Sequence, residues 1–366
     1  MIDVAPAANP ERPPRGVFDQ TPASLRAMLA SWGEPAYRAA QILDWVYARG
    51  VEHYADMTNV SKRLRERLSH DVPLYTSTVA ARQVARDRTT KLLLAWPDGT
   101  TSECVLIPDG DRRTACISTQ VGCPAGCVFC ASGLDGLQRS LSAGEIVEQA
   151  MRVRRLCGAA SRLTNVVFMG LGEPLANYAS TVRAVRTINA DWGMGIGARK
   201  ITVSTVGLPS QMRRLADEGL QVTLAVSLHA PTDELRRRIV PWAAHIAMGE
   251  VVDAARYYFD RTGREVTVEY VLLGGVNDGV DDARRLAAVC GRMRSNVNVI
   301  PYNPVAGLPY HRPGAEAADA FVAALRGGGV NVHLRRSRGA DIDGACGQLR
   351  RRDLAGTRVA RVPCDR

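Results

Sequence analysis

Two kinds of apolar spacing divide the chain near residue 79. From Phe18 to about His70, apolar residues recur at helical intervals. In TPASLRAMLASWG, Thr21 precedes the apolar series, Pro22 suits a first turn and Gly33 ends it. YRAAQILDWVYARG and VSKRLRERLSHDV continue in that style. The pattern predicts a small all-helical unit over 17–78 with a basic face bearing Lys62, Arg63, Arg65 and Arg67. Beyond it, short apolar runs alternate with helical stretches. The runs are SECVLI (102–107), TACIST (114–119), NVVFMG (165–170), KITVSTV (200–206), QVTLAVSLH (221–229), EVTVEYVLL (265–273), NVNVIPY (296–302) and VNVHLRR (330–336). Ser142-Ala-Gly-Glu145 reads as a capping box before IVEQAMRVRRL. Strands alternating with helices predict an α/β class and a parallel sheet. Over 79–350 this is a partial or complete α/β barrel, with a doubly wound sheet as the alternative. Residues 1–16, rich in Pro, Ala and Arg, read as a disordered leader, and 351–366 as a basic tail.

Composition narrows the function classes. No apolar run approaches the roughly 18–20 residues that cross a bilayer, and the N-terminus lacks the order of a signal peptide. A cytoplasmic protein without a membrane partner is expected. The formal net charge is +10, mostly from arginine, which points to a polyanionic partner such as nucleic acid. A basic solvated surface without function is the alternative. Further arginine runs, Arg236–Arg238 and those near the C-terminus, are candidate RNA grips. Nine cysteines, an odd count in a long chain, argue against a secreted disulfide framework. Isolated ones such as Cys157 and Cys290 read as small buried hydrophobes.

QVGCPAGCVFC places Cys123, Cys127 and Cys130 within eight residues. Structural zinc wants four ligands, so a zinc site would need a distant fourth. A 4Fe–4S cluster held by three thiolates leaves one iron open for a substrate. The C-x3-C-x2-C spacing, with Phe129 before the last cysteine, resembles the radical S-adenosylmethionine (SAM) superfamily. NVVFMGLGEP runs from a strand through a glycine turn to Gly172 and Glu173. A backbone can approach a ligand there, and a carboxylate can hold SAM's ammonium group. Ser204, Ser227, Leu228, His229 and Asn303 lie late in or just after predicted strands, where an α/β barrel builds its active site. Each polar residue alone reads more often as a loop cap or a satisfied core group, whereas four on one predicted rim favour a ligand site.

From about Ser102 to Leu349 the chain resembles the RlmN/Cfr family of radical-SAM RNA methyltransferases. The resemblance rests on CISTQVGCPAGCVFC, VVFMGLGEPL, KITVSTVGLP, AVSLHAPTDELRRRIVP, NVIPYNP and RRSRGADIDGACGQL. It implies a radical-SAM barrel with a helical N-terminal domain, one 4Fe–4S cluster per chain and two SAM molecules per turnover. It implies methylation of C2 of an adenine in 23S rRNA and, in some members, of the adenine 3′ of the tRNA anticodon. An electron donor such as flavodoxin or ferredoxin and a monomeric chain are also expected. The family's methyl-accepting cysteine falls on Cys346, its resolving cysteine on Cys116 and its proton-accepting carboxylate on Glu103. A transient disulfide between the two cysteines follows. Read without the resemblance, Cys346 is a loop cysteine beside Arg335, Arg336 and Arg338, Cys116 is strand core, and Glu103 is a solvated strand-end carboxylate. Two alternatives stay open: C8 methylation of the same adenine, and a non-catalytic zinc-stapled RNA-binding module. Asp135 and Gly136 depart from the usual family pattern after the cysteine loop.

Overall fold

The computed structural model describes residues 16–158 and 161–350. The expected leader, apart from residue 16, and the basic tail lie outside the described residues, as does Cys364. Twelve strands are formed among the described residues. In chain order they are β1 (Thr78–Val84), β2 (Thr90–Ala95), β3 (Thr101–Asp109), β4 (Arg112–Cys116), β5 (Gln120–Gly122), β6 (Leu137–Ser140), β7 (Asn165–Phe168), β8 (Ile201–Thr205), β9 (Thr223–Ser227), β10 (Val266–Leu272), β11 (Ser295–Pro301) and β12 (Asn331–Leu334).

Ten of them make one sheet in the order β1-β2-β3-β4-β7-β8-β9-β10-β11-β12. β1 to β4 form an antiparallel meander. From β4 onward every ladder is parallel. Neighbours rise in chain order without reversal, which excludes the doubly wound alternative, whose strand order must switch. No ladder joins β12 to β1 among the described residues, so the barrel is partial. Helices such as Tyr178–Asn189, Met248–Thr262 and Val280–Cys290 connect the parallel strands. Their apolar faces pack on the sheet through Val185, Val251 and Leu286.

The helix Ala143–Arg155 starts as its sequence requires: Ser142 Oγ accepts from Glu145 N (3.1 Å), and Glu145 Oε2 accepts from Ser142 N (2.8 Å). The same helix docks the N-terminal helices. Gly144 N donates to Asp19 Oδ1 (2.7 Å), and a Cβ at Gly144 would meet that carboxyl carbon at 2.4 Å, so the position needs glycine. Glu148 accepts from the backbone N–H groups of Thr76 and Ser77, both at 2.9 Å. None of the described helices is long and apolar enough to cross a membrane.

Three elements differ from the sequence expectation. β1 and β2 precede the first expected run; β1 is largely solvent-facing and carries Arg82 and Gln83, so it lacks an apolar signature. The short hairpin β5–β6, which brackets the cysteine loop, also lacked a signal. Arg236, expected on an RNA-gripping run, is 1 % exposed. Its guanidinium donates to the carbonyls of Val206 (2.5 Å) and Ile246 (3.3 Å), so it ties loops together inside the protein.

Candidate active site

The sheet's parallel strands end around an open cavity of about 910 Å³, a volume that includes the solvent at its mouth. Cys123, Cys127 and Cys130 line one wall. Hairpin β5–β6 delivers them: Cys123 N donates to Gly136 O, Cys130 N to Cys127 O, and Val128 N to Ile239 O, at 3.1 Å each. Burial raises all three thiols, Cys123 to about 12, and mutual repulsion adds to it at Cys123 and Cys127. Thiolates crowded this way require compensating positive charge. Among the described residues, no three His, Cys, Asp or Glu side chains converge as ligands of a single ion. Three thiols on one wall of the cavity suit an iron–sulfur cluster, whose cysteines bind separate irons.

Beside Cys123, whose sulfur the Gly172 backbone N–H reaches, β7 leads into Gly172 and Glu173. Gly172 has φ 104°, and a Cβ there would approach Gln120 Cβ at 2.7 Å. The Glu173 carboxylate is buried, and each oxygen is held by a backbone N–H: Leu175 N at 2.9 Å and Val206 N at 2.7 Å. Burial pushes this carboxyl up to about 7, and those two bonds pull it the other way. Ser204 and Ser227 lie 3.2 Å apart (Oγ to Oγ) at the ends of β8 and β9. His229 sits at φ 61° with its ring edge on Phe129. Its Nδ1 accepts from Val271 N (3.1 Å), so the ring's proton is on Nε2. Burial, and then Arg236, push its imidazolium down to about 3. Leu228 is different: its side chain is core, and it does not line the cavity.

Cys346 belongs to the segment after β12. Together with Asn303 it lines both the main cavity and a second one of about 550 Å³. The second cavity also holds Cys116, Arg335, Arg336 and Arg338. The fold thus brings Cys116 and Cys346 to one space. Both are free thiols, so the disulfide expected between them is not present. Cys116 is buried, whereas Cys346 is exposed as a residue. The protein packed around its sulfur still raises the Cys346 thiol by desolvation, Arg335 lowers it, and Glu269 and Cys130 raise it further.

Backbone anchors fix the Cys346 segment. Asn303 Nδ2 donates to Cys346 O (3.1 Å), Ala131 N to Gly347 O (2.8 Å), and Gln348 Nε2 to Pro304 O (3.0 Å). Glu103 serves the same segment. It is 1 % exposed, not solvated, and pairs with Lys91 Nζ at 3.0 Å. Its Oε2 accepts from Arg350 N (2.9 Å), and Lys91 Nζ also donates to Asp343 O (3.1 Å). Glu103 lines neither cavity. The departing residue Asp135 pairs with Arg350 at 3.2 Å, beside this segment.

Sequence reasoning missed Glu269, in the middle of β10. It lines the main cavity, and its Oε1 accepts from Asn298 Nδ2 on β11 (2.8 Å). The single carboxylate inside VTVEYVLL (266–273) was the available signal, because a central parallel strand is normally apolar on both faces.

Comparison with known proteins agrees with this geometry. Residues 117–287 match the radical SAM superfamily, and residues 16–73 match the ribosomal RNA large subunit methyltransferase N-terminal domain. A probable dual-specificity RNA methyltransferase RlmN of Rhodopirellula baltica is 46% identical over 89% of this chain and 88% of its own. That of Gloeobacter violaceus is 47% identical over 93% and 96%. The crystal structure of a radical SAM methyltransferase from Sphaerobacter thermophilus is 45% identical, with a TM-score of 0.90 over 92% of this chain and 99% of that one. The chain belongs to the RlmN family of radical-SAM RNA methyltransferases.

Proposed function

We propose that this chain transfers a methyl group from SAM to C2 of an adenine in 23S rRNA and tRNA, through Cys346. The observation that carries the reading is the position of Cys346, which faces both the cysteine-lined cavity and the Cys116 space. C2 of adenine is an electron-poor carbon, so polar attack on a methyl sulfonium is closed to it and a carbon radical is needed. Cys123, Cys127 and Cys130 would hold the 4Fe–4S cluster. When bound, the cluster supplies the electron that splits SAM into methionine and a carbon radical.

The chain's own residues do the rest. Glu173, fixed by two backbone N–H groups, orients its carboxylate for SAM's ammonium. The Ser204–Ser227 pair and the Nε2–H of His229 offer hydroxyl and N–H groups to the remaining polar atoms of SAM. Cys346 accepts a methyl from a first SAM, then gives up a hydrogen from that methyl to the radical drawn from a second. The S–CH2 radical adds to C2, and the adduct gives up the C2 proton and one electron, taken back by the oxidised one-electron donor, to restore the aromatic ring. Cys116 then attacks the Cys346 sulfur: an S–S bond forms, the S–CH2 bond breaks and the freed carbon takes a proton. A two-electron donor such as a thiol reductant resets the disulfide. Glu103 holds the Cys346 segment through Arg350 N and is the family's candidate for the proton leaving C2. The helical N-terminal unit, exposing Lys62, Arg63 and Arg67, is the proposed RNA grip. The adenine enters by extrusion from its stack.

The test is anaerobic reconstitution with iron and sulfide, incubation with methyl-labelled SAM, reductant and a 23S rRNA fragment or tRNA, and digestion to nucleosides. The expected product is 2-methyladenosine, absent with Cys346→Ala. 8-Methyladenosine would move the chain to the sister activity. A protein that binds zinc in place of iron and labels no nucleoside would overturn the radical reading.

A further inference from the structure

Methylation of a thiol by SAM releases a proton, and a base lining the same cavity as Cys346 would take it within the site. Besides the three cluster cysteines and Cys346 itself, the described titratable side chains lining it are Glu173, His229, Glu269 and Tyr302. Each Glu173 oxygen already accepts a backbone N–H and faces the SAM-ammonium position. His229 spends Nδ1 on Val271 N, which leaves Nε2 as a donor. Tyr302 is a phenol, raised by burial, and keeps its own proton. Glu269 remains. It is 4 % exposed, and Asn298 fixes its Oε1. Its Oε2 is buried without a hydrogen-bond partner among the described residues. A buried carboxylate oxygen left unpaired is costly, and an acceptor that receives a proton during the reaction accounts for it.

Glu269 also occupies the right row of the sheet. It pairs in register with Ser227 on β9 and Asn298 on β11, and it lines the same cavity as Cys346. Burial raises the Glu269 carboxyl and Arg335 lowers it; at Cys346 Arg335 likewise lowers the thiol, and the Glu269 charge raises it.

We propose that Glu269 is the proton acceptor for Cys346 when that thiol takes its methyl group from SAM. The inference rests on the role of Cys346 proposed above. The SAM C–S bond to methyl breaks and the Cys346 Sγ–CH3 bond forms. The sulfonium leaves as a neutral thioether, and the Sγ proton ends on Glu269 Oε2. The positive sulfonium and the negative carboxylate are both neutralised, so no net charge is left in the buried site. After the step the protonated Glu269 returns its proton to water through the cavity mouth.

The test uses reconstituted holoenzyme without reductant or RNA, and reads two signals at the Cys346 peptide by mass spectrometry. One is methyl uptake from deuteromethyl-SAM; the other is alkylation by iodoacetamide with no SAM present. With Glu269 the proton stays inside the site, so both rates are nearly flat with pH while the carboxylate is ionised. Without it the proton must go to water. For Glu269→Gln, both rates then fall roughly 100-fold near neutrality and climb about tenfold per pH unit. A Glu269→Gln protein with the wild-type rate and pH slope overturns the inference. If Glu269→Gln does not take up iron, Glu269→Asp decides: a slower but flat profile supports the role, and a tenfold-per-unit profile overturns it. If wild-type Cys346 takes no methyl while iodoacetamide still reports the flat profile, the Cys346 reading falls and the Glu269–Cys346 proton coupling stands.

Discussion

The two walls of the cavity are built in opposite ways. The cluster wall is local: Cys123, Cys127 and Cys130 share one loop, held by short-range bonds such as Cys130 N to Cys127 O. The sulfur-relay wall is assembled from β10 (Glu269), the turn after β11 (Asn303) and the segment after β12 (Cys346), with Cys116 of β4 in the adjoining second cavity. Its geometry exists only when the whole sheet is in register and the last segment is pinned. In the proposed mechanism a radical is made where covalent spacing fixes the ligands and is used where tertiary structure fixes the acceptor. The relay wall is therefore the one that distant substitutions can disturb.

The largest expected effects separate the walls by what survives. Cys127→Ala removes a cluster ligand, so bound iron and RNA methylation are both lost. Cys346→Ala keeps full iron content and SAM binding, yet its RNA methylation falls to background. Iron loss in Cys346→Ala would show that the walls are not independent.

Next is the pin of the relay wall. Lys91 and Glu103 are 2 % and 1 % exposed, and removing one partner of such a buried pair costs roughly 3–5 kcal/mol. Lys91→Met is expected to lower stability by that order in denaturant unfolding and to expose the chain near Asp343 to protease. Unchanged unfolding would leave the other anchors as sufficient.

A smaller effect concerns SAM. Because burial pushes Glu173 up to about 7, it gains its proton as pH falls through that value and loses the charge that would hold an ammonium. SAM affinity, read by equilibrium dialysis, is expected to weaken below pH about 7. Glu173→Gln should bind roughly 10–100-fold more weakly and lose that pH dependence. In the SAM-free protein the sign reverses. The folded carboxyl holds its proton longer than the unfolded one, so this group's contribution to stability is present below 4.5 and lost as pH rises toward 7. An affinity that is flat with pH would remove Glu173 from the ammonium site.

The smallest change is Asp135→Asn. It breaks a partly exposed pair with Arg350, worth under about 1 kcal/mol. RNA methylation should change less than twofold; a large loss would assign Asp135 to RNA contact.

The same contrast governs what could be read in the sequence. The helical N-terminal pattern, the capping box at Ser142, the parallel strands and the three-cysteine loop are local signals, and each was legible. β1 was not, because an exposed edge strand carries no alternation strong enough to mark it. Arg236 was misplaced because a charge run shows which residues are basic, not which one turns inward. Leu228 shares the backbone stretch of Ser227 and His229, but strand alternation sends its side chain to the core. Glu103 looked like a surface carboxylate because its partners, Lys91 and Arg350, lie far from it in the chain. Glu269 needed its row neighbours Ser227 and Asn298 to acquire meaning, and those are supplied by sheet register.

The most direct test follows the methyl group itself. Holoenzyme is loaded with deuteromethyl-SAM, freed of it, and given unlabelled SAM, reductant and RNA for one turnover. A protein-borne methyl predicts that the first 2-methyladenosine carries deuterium and that Cys346 loses its label at the same rate. First-turnover product carrying only unlabelled methyl, with the label still on Cys346, would contradict the account.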